Sequence, residues 1–381
     1  MYLGPRLFAL SVYVLVTFIF WYFISNTNKK YHAFLLCAFL LVLTFMGLLH
    51  YPNPSSDSFR LNAYMRSYEN LSLQEMYVRE LKRSSTPLIF LIYWTLSKFH
   101  YRGMLTGFAV FVTYAVVFRM LYTAEKRFKP SSKIVGMSLL VLMSTGLFGG
   151  TIDNIRTPIA FSLIAWGFYR EMIEQKSFVS NLPLYLSACL IHIASAALLL
   201  LRLAFMCYEI FRYEKNARKR RKMIFIMTGT IIFGIVCAMP YLGKVLKKTQ
   251  SYFTLGGYSL LSETIISFIC IIIFWRIEKL LNLNYEFIAD SNKIRRFMSF
   301  FNFVQFVAIC TLPFDYNSFY RFGGLLTAAV LPVALIIAFS ASIPDYKKKA
   351  RMNEVIILSM IMMFISLSRG NLCSFKFFES F

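Results

Sequence analysis

Leu7-Phe8-Ala9-Leu10-Ser11-Val12-Tyr13-Val14-Leu15-Val16-Thr17-Phe18-Ile19-Phe20-Trp21-Tyr22-Phe23-Ile24 carries no charged residue. A helix needs about 20 mostly apolar residues to cross the hydrocarbon of a bilayer, so this run has the length of a membrane span. Arg6 precedes it and Asn26-Thr27-Asn28-Lys29-Lys30 follows, with no small-residue cleavage site. It reads as an uncleaved first span rather than a signal peptide. Taken as 7–25, it is the first of twelve apolar runs, the others being 33–50, 104–122, 134–152, 157–173, 179–192, 193–211, 223–241, 260–277, 297–313, 320–342 and 354–368. A further run, Pro87 to Leu96, is too short to cross and is expected as a re-entrant or interfacial helix.

The whole chain agrees with that first stretch. Hydrophobic residues make up 58% and charged residues 15%, and the mean hydropathy is +0.58. A water-soluble domain of this composition would expose large apolar patches. A dozen spans use about 240 of the 381 positions, which leaves room for loops but not for a separate soluble domain. Inside hydrocarbon only helices or a closed barrel satisfy the backbone, and runs such as Leu139 to Leu147 lack the alternation of barrel strands. The expected fold is an all-α polytopic integral membrane protein: one transmembrane domain over 1–381, about 12 helices, a short re-entrant helix, and a long external loop at 51–86 with a short helix near Leu73 to Leu81.

A net charge of +23 would suggest nucleic acid in a soluble protein, but here the basic residues sit mostly in short loops. With the N-terminus outside, six alternate loops become cytoplasmic and hold 25 of the 41 Lys and Arg. Cytoplasmic loops carry such an excess. Were Pro87–Leu96 a full crossing, 23 of those 25 would move outside, so the charge pattern favours the re-entrant reading. Runs such as Arg218 to Lys222 are explained by topology and anionic lipid, with no nucleic-acid partner required. The seven cysteines form no Cys-x-x-Cys pair and mostly lie in apolar runs, so no metal site or disulfide is expected. Nor is a cofactor, since the chain has no Gly-x-Gly-x-x-Gly, Walker loop or His-Glu-x-x-His.

Polar residues at the outer ends of spans then need a reason of their own. Gly149 to Pro158 reads as a tight external turn that carries Asp153, Asn154 and Arg156. Asp153 and Arg156 could simply pair across it, or Arg156 could clamp an anionic oxygen in two-pronged fashion. His192 lies inside an apolar stretch where the chain must turn at the same face; it is either a satisfied structural residue or a general acid–base group. His32, His50 and His100 look interfacial. Asp315, Tyr316 and Arg321 belong to an external turn rich in aromatics, which suits either an interfacial belt or a sugar-binding surface. Lys244, Lys247 and Lys248 put positive charge outside, against the topological trend, which favours an anionic ligand. Arg202 is the basic residue placed well inside a span.

Three elements in combination resemble the Wzy/EpsG-type family of bacterial polysaccharide repeat-unit polymerases. They are an Asp followed by an aromatic in the long loop (Asp57-Ser58-Phe59), an Asn-x-Arg-x-x-Ile-Ala stretch (Asn154 to Ala160), and a His-x-x-Ser-Ala element (His192 to Ala196). Tyr320-Arg321-Phe322 adds weaker support, while Thr157 stands where the family often has Gln, and Ser58 where it has Tyr. The resemblance implies a GT-C-like membrane glycosyltransferase in the bacterial inner membrane. Its partners would be an undecaprenyl-pyrophosphate-linked oligosaccharide and a growing glycan, with a chain-length regulator and a flippase as further candidates. Its active site would face the periplasm. On this reading Arg156 and Arg321, with Arg60 or the Lys244–Lys248 group, neutralise the departing pyrophosphate, while His192 or Asp57 takes the proton of the attacking hydroxyl. Two alternatives stay open: a flippase of lipid-linked oligosaccharide, and a membrane acyltransferase acting on surface glycans.

Overall fold

The computed structural model describes residues 3–52, 56–213, 258–282, 291–313, 315–340 and 345–368, with a few isolated positions between 217 and 229. Among them there is no β-strand. The helices are α1 (Leu3–Asn26), α2 (His32–Leu49), α3 (Asp57–Arg66), α4 (Leu73–Arg79), α5 (Pro87–Ser97), α6 (Met104–Phe128), α7 (Ser132–Ser144) and α8 (Leu147–Asn154). They continue as α9 (Arg156–Met172), α10 (Phe178–Ile191), α11 (Ala194–Tyr213), α12 (Tyr258–Asn282), α13 (Ser291–Thr311), α14 (Tyr316–Ser340) and α15 (Asp345–Ser368). Residues Tyr320–Leu326 of α14 are π-helical.

Five of these helices are long and apolar enough to cross a membrane: Arg6–Asn26, Lys29–Leu49, Met104–Phe128, Ala194–Phe211 and Tyr316–Ser340. The pair α7 and α8 makes a sixth if it counts as one bent span. The chain is thus an all-α protein built for a lipid bilayer. The run expected as one span over 134–152 is broken by 44° between α7 and α8. Gly146 makes the bend, with φ 74° and ψ 9°, a left-handed conformation in which a side chain would be strained. Helix α5 has 11 residues, as a segment too short to cross requires. The expected span 223–241 lies outside the described residues.

Contacts at the helix ends sort the bundle into two faces. At one, here the far end, the hydroxyl of Ser132 donates to the Thr27 carbonyl at 3.0 Å and Lys29 donates to that of Lys129 at 3.3 Å. His32, fully buried, meets Glu125 at 2.6 Å, so it is packed inside protein rather than interfacial. Tyr169 of α9 faces Thr123 and Arg127, which brings the C-terminus of α9 to this end. At the opposite face, the loop end, Tyr101 donates to the Leu48 carbonyl at 3.2 Å and Tyr316 donates to Glu263 at 2.6 Å. His50 is buried there as well.

The core runs along α14. Its most apolar window is completely buried, with Thr327 to Phe339 enclosed by α6, α7, α9, α12 and α13. By contrast, α1 and α2 leave Leu7, Phe8, Leu15, Phe34 and Leu41 exposed, as helices facing lipid do. Among the described residues the centre of the bundle is therefore filled by side chains along α14, and the ion pairs lie toward the two ends.

Candidate functional site at the loop end

The long loop is ordered by its own sequence. Ser56 caps α3, its hydroxyl accepting from the Phe59 N–H at 3.2 Å, and Asp57 in the first turn suits the positive end of the helix dipole. Ser58, Leu61, Asn62 and Met65 form the buried stripe that seats α3 on α5 and α8. Asp57 and Arg60 pair with each other on its more open side. Lys98 then staples the following turn, donating to the carbonyls of Glu69 and Leu71 at 2.7 and 2.8 Å, while Trp94 Nε1 donates to Leu71 at 2.8 Å. His100 pairs with Glu69. Ser72 and Glu75 form a reciprocal capping box on α4, and accepting from Ser72 holds the Glu75 carboxyl below the ordinary glutamate range. Tyr68 beneath the turn is fully buried, and burial, reinforced by Glu80, pushes its hydroxyl above the usual phenol range.

Arg156 arises from a second local break. Gly149 to Asn154, expected as a turn, are helical as part of α8; the chain leaves helical geometry at Ile155 alone and re-enters at Arg156. Pro158 lies in the first turn of α9, where its missing N–H costs nothing. The Arg156 guanidinium is thus added to a helix N-terminus whose backbone N–H groups already favour anions. It is half-buried, and it makes no hydrogen bond or ion pair with any described residue. The Asp153–Arg156 pair that would merely stitch the junction is not formed. Tyr93 of α5, 2% exposed, lies within electrostatic range, its hydroxyl feeling the charges of Arg156, Asp57 and Arg60 and the neighbouring Tyr68. No protein-family model, curated protein or solved structure matches the chain.

His192 closes α10, its N–H donating to the Ala188 carbonyl at 2.9 Å, and its own carbonyl accepts from Ser195 as α11 begins. Close approach of Gly167 to Tyr185 and ring contact between Phe168 and Tyr185 fix the register of the α9–α10 hairpin. That register puts His192 level with Ala160. At 1.5 Å per residue this is about 6 Å below Arg156 along α9. The Tyr320–Phe322 segment joins from α14: a Cβ on Gly150 would stand 3.0 Å from the Tyr320 hydroxyl, and Phe322 stacks on Phe161 of α9 at 5.7 Å. Arg321 rides on this segment and is half-buried, as are Asp153 and Asn154 at the end of α8.

Asp315 serves the helix itself, because its carboxylate caps the first turn of α14, accepting from the Asn317 N–H at 3.1 Å and the Ser318 hydroxyl at 2.5 Å. Tyr316 is directed to Glu263 and stacks on Tyr320 at 6.4 Å. Lys244, Lys247 and Lys248 lie outside the described residues. The structure thus brings Asp57, Arg60 and Arg156 within electrostatic range of Tyr93 and puts His192 and the Tyr320–Phe322 segment at the same end. It adds two residues the sequence did not single out, Tyr93 and Arg102; the latter stacks over Tyr51 at 4.5 Å and Phe59 at 5.3 Å.

The far end holds another cluster. Arg202, 1% exposed, contacts Glu171 at 2.6 Å and Glu209 at 3.3 Å; Arg296 binds Glu209 at 2.5 and 2.9 Å; Tyr185 donates to Glu171 at 3.0 Å. These charges balance. They tie α9, α10, α11 and α13 together away from the loop end.

Proposed function

We propose that this chain is a membrane glycosyltransferase that polymerises lipid-pyrophosphate-linked oligosaccharide repeat units. On this reading it has about twelve spans in a GT-C-like arrangement, and the loop end faces the exterior of a bacterial inner membrane. The observation that carries the reading is Arg156: a half-buried cation without a carboxylate partner among the described residues, at the N-terminus of α9, just after the helix α8 on which the loop helix α3, with Asp57 and Arg60, is packed. Leaving such a cation uncompensated costs free energy in the empty protein, which an anionic ligand would recover. A lipid pyrophosphate fits, because it approaches from the membrane, supplies its own leaving group and needs no activating nucleotide.

In the proposed mechanism the Arg156 guanidinium, with Arg321, holds the pyrophosphate and stabilises the charge that grows as its bond to the sugar breaks. His192 or Asp57 takes the proton of the attacking hydroxyl, an effect of about 10²–10⁴-fold. Asp57 is already engaged by Arg60, so it enters this step only if Arg60 releases it. Purified protein incubated with lipid-linked repeat units should yield a ladder of products. Arg156→Ala and His192→Ala, inserted at normal abundance, should abolish the long products. Polymer persisting in both variants refutes the assignment. The flippase alternative draws support from the buried Arg202 cluster, but that cluster is charge-balanced and lies at the end remote from Arg156; repeat units recovered unchanged from the ladder assay would favour it.

A further inference from the structure

The Tyr93 hydroxyl is a buried donor with nothing to donate to. It is 2% exposed and has no hydrogen-bond partner among the described residues, although buried polar groups in folded proteins are nearly always satisfied. An orphan of this kind costs about 1–3 kcal/mol, so it calls for an explanation in ligand binding or water. Its position is not accidental to the fold: Ile89, Tyr93 and Leu96 form the buried stripe of α5, packed between α3 and α10. The ring is therefore locked, with its hydroxyl within electrostatic range of the Arg156 guanidinium. Arg156 has no partner among the described residues either. Asp57 and Arg60 neutralise each other, so the surplus charge near the hydroxyl is the single positive charge of Arg156.

We infer that Tyr93 and Arg156 together form a phosphoryl-oxygen site, in which the phenol donates one hydrogen bond and the guanidinium supplies charge and the rest of the donors. A phenol next to an arginine suits a phosphate ester better than a sugar hydroxyl. A phosphoryl oxygen accepts from both groups and brings the negative charge that answers the guanidinium, whereas a sugar hydroxyl brings no charge. This rests on the lipid-pyrophosphate reading for the identity of the substrate, but the binding site itself does not require that polymerisation occur. Tyr93 is thus assigned as a substrate-contact residue.

The test is Tyr93→Phe, which keeps the ring and removes one oxygen, with two measurements on full-length protein in nanodiscs. The first is a titration with undecaprenyl pyrophosphate followed by intrinsic fluorescence, Trp94 being the adjacent residue. The second is the product ladder with lipid-linked repeat units. Loss of a hydrogen bond to a charged oxygen should weaken binding about tenfold or more and lower kcat/KM by at least as much. The empty Tyr93→Phe protein should melt at or above the wild-type temperature, because the lost hydroxyl had no partner; a purely structural hydroxyl would lower it. Unchanged binding in Tyr93→Phe overturns the inference, as does failure of the wild type to bind the lipid pyrophosphate. Should the wild type bind in a Tyr93-dependent manner yet make no ladder, the site stands and the polymerase reading falls.

Discussion

Arg202 allows a stability prediction whose size follows from the contacts around it. Arg202→Met removes the guanidinium that binds Glu171 at 2.6 Å and Glu209 at 3.3 Å. Glu209 keeps both contacts from Arg296, but Glu171 keeps only the Tyr185 hydroxyl at 3.0 Å. One carboxylate, 10% exposed, is then left buried without a counter-charge. Breaking a buried pair in this way costs about 3–5 kcal/mol, and the surviving tyrosine bond puts the expectation near the lower limit, about 3 kcal/mol. Adding Glu171→Gln removes the orphaned charge while keeping an acceptor for Tyr185, so the double variant should return to within about 1 kcal/mol of wild type. Unfolding in mixed micelles with rising SDS, followed by far-UV circular dichroism, measures both. A single variant as stable as wild type, or a double variant less stable than the single, refutes the account of these charges as a paired structural cluster. Ligand affinity at the loop end should be unchanged per folded molecule.

Two further perturbations separate structural from binding roles. Asp315→Ala removes the cap on α14 and should cost about 0.5–2 kcal/mol of stability with KM unchanged; a raised KM at unchanged stability would instead give Asp315 to the substrate. Gly167→Ala places a Cβ 2.3 Å from Tyr185 Cε1, a rigid ring locked beneath α9, and should destabilise by about 1–3 kcal/mol in the same unfolding assay; an unaltered midpoint would mean that the α9–α10 hairpin is looser than its packing indicates.

How much of this was legible in the sequence depended on the range of each interaction. The apolar runs around Leu7 to Ile24 announce helices because the hydrophobic signal is local and long, and Pro87 to Leu96 betrays its short helix by length alone. The bend at Gly146 was hidden, since the run from 134 to 152 stays apolar across it and one glycine in a helix does not declare a left-handed φ. For the same reason Gly149 to Asn154 read as a turn, although the break falls at Ile155. Helix α3 was missed because its stripe, Ser58, Leu61, Asn62 and Met65, is half polar and becomes a buried face only against α5 and α8. Tyr93 looked like one more aromatic in an apolar run; only the fold brings it to Arg156 from about sixty residues away in sequence. Arg202 was conspicuous as a charge in an apolar run, but its partners Glu171, Glu209 and Arg296 lie on three helices and nothing local pairs them.

The two ends of the bundle treat charge in opposite ways, and this contrast bears on function more than any single residue does. At the far end, His32 has Glu125, Arg202 has Glu171 and Glu209, and Arg296 has Glu209. Each of these three comes with a carboxylate, and for the buried His32 and Arg202 this is what stability alone demands of polar groups removed from water. At the loop end the same chain commits its carboxylates elsewhere: Asp57 to Arg60, Asp315 to a helix cap, Glu263 to Tyr316, Glu69 to His100. Among the described residues Arg156 is left without one, within electrostatic range of a phenol that is also without a hydrogen-bond partner. Paired charges at one end show that the fold can satisfy an arginine where it needs only to be stable. On the proposed reading, the arginine and the tyrosine left unsatisfied at the other end are where an anionic ligand supplies the missing acceptor.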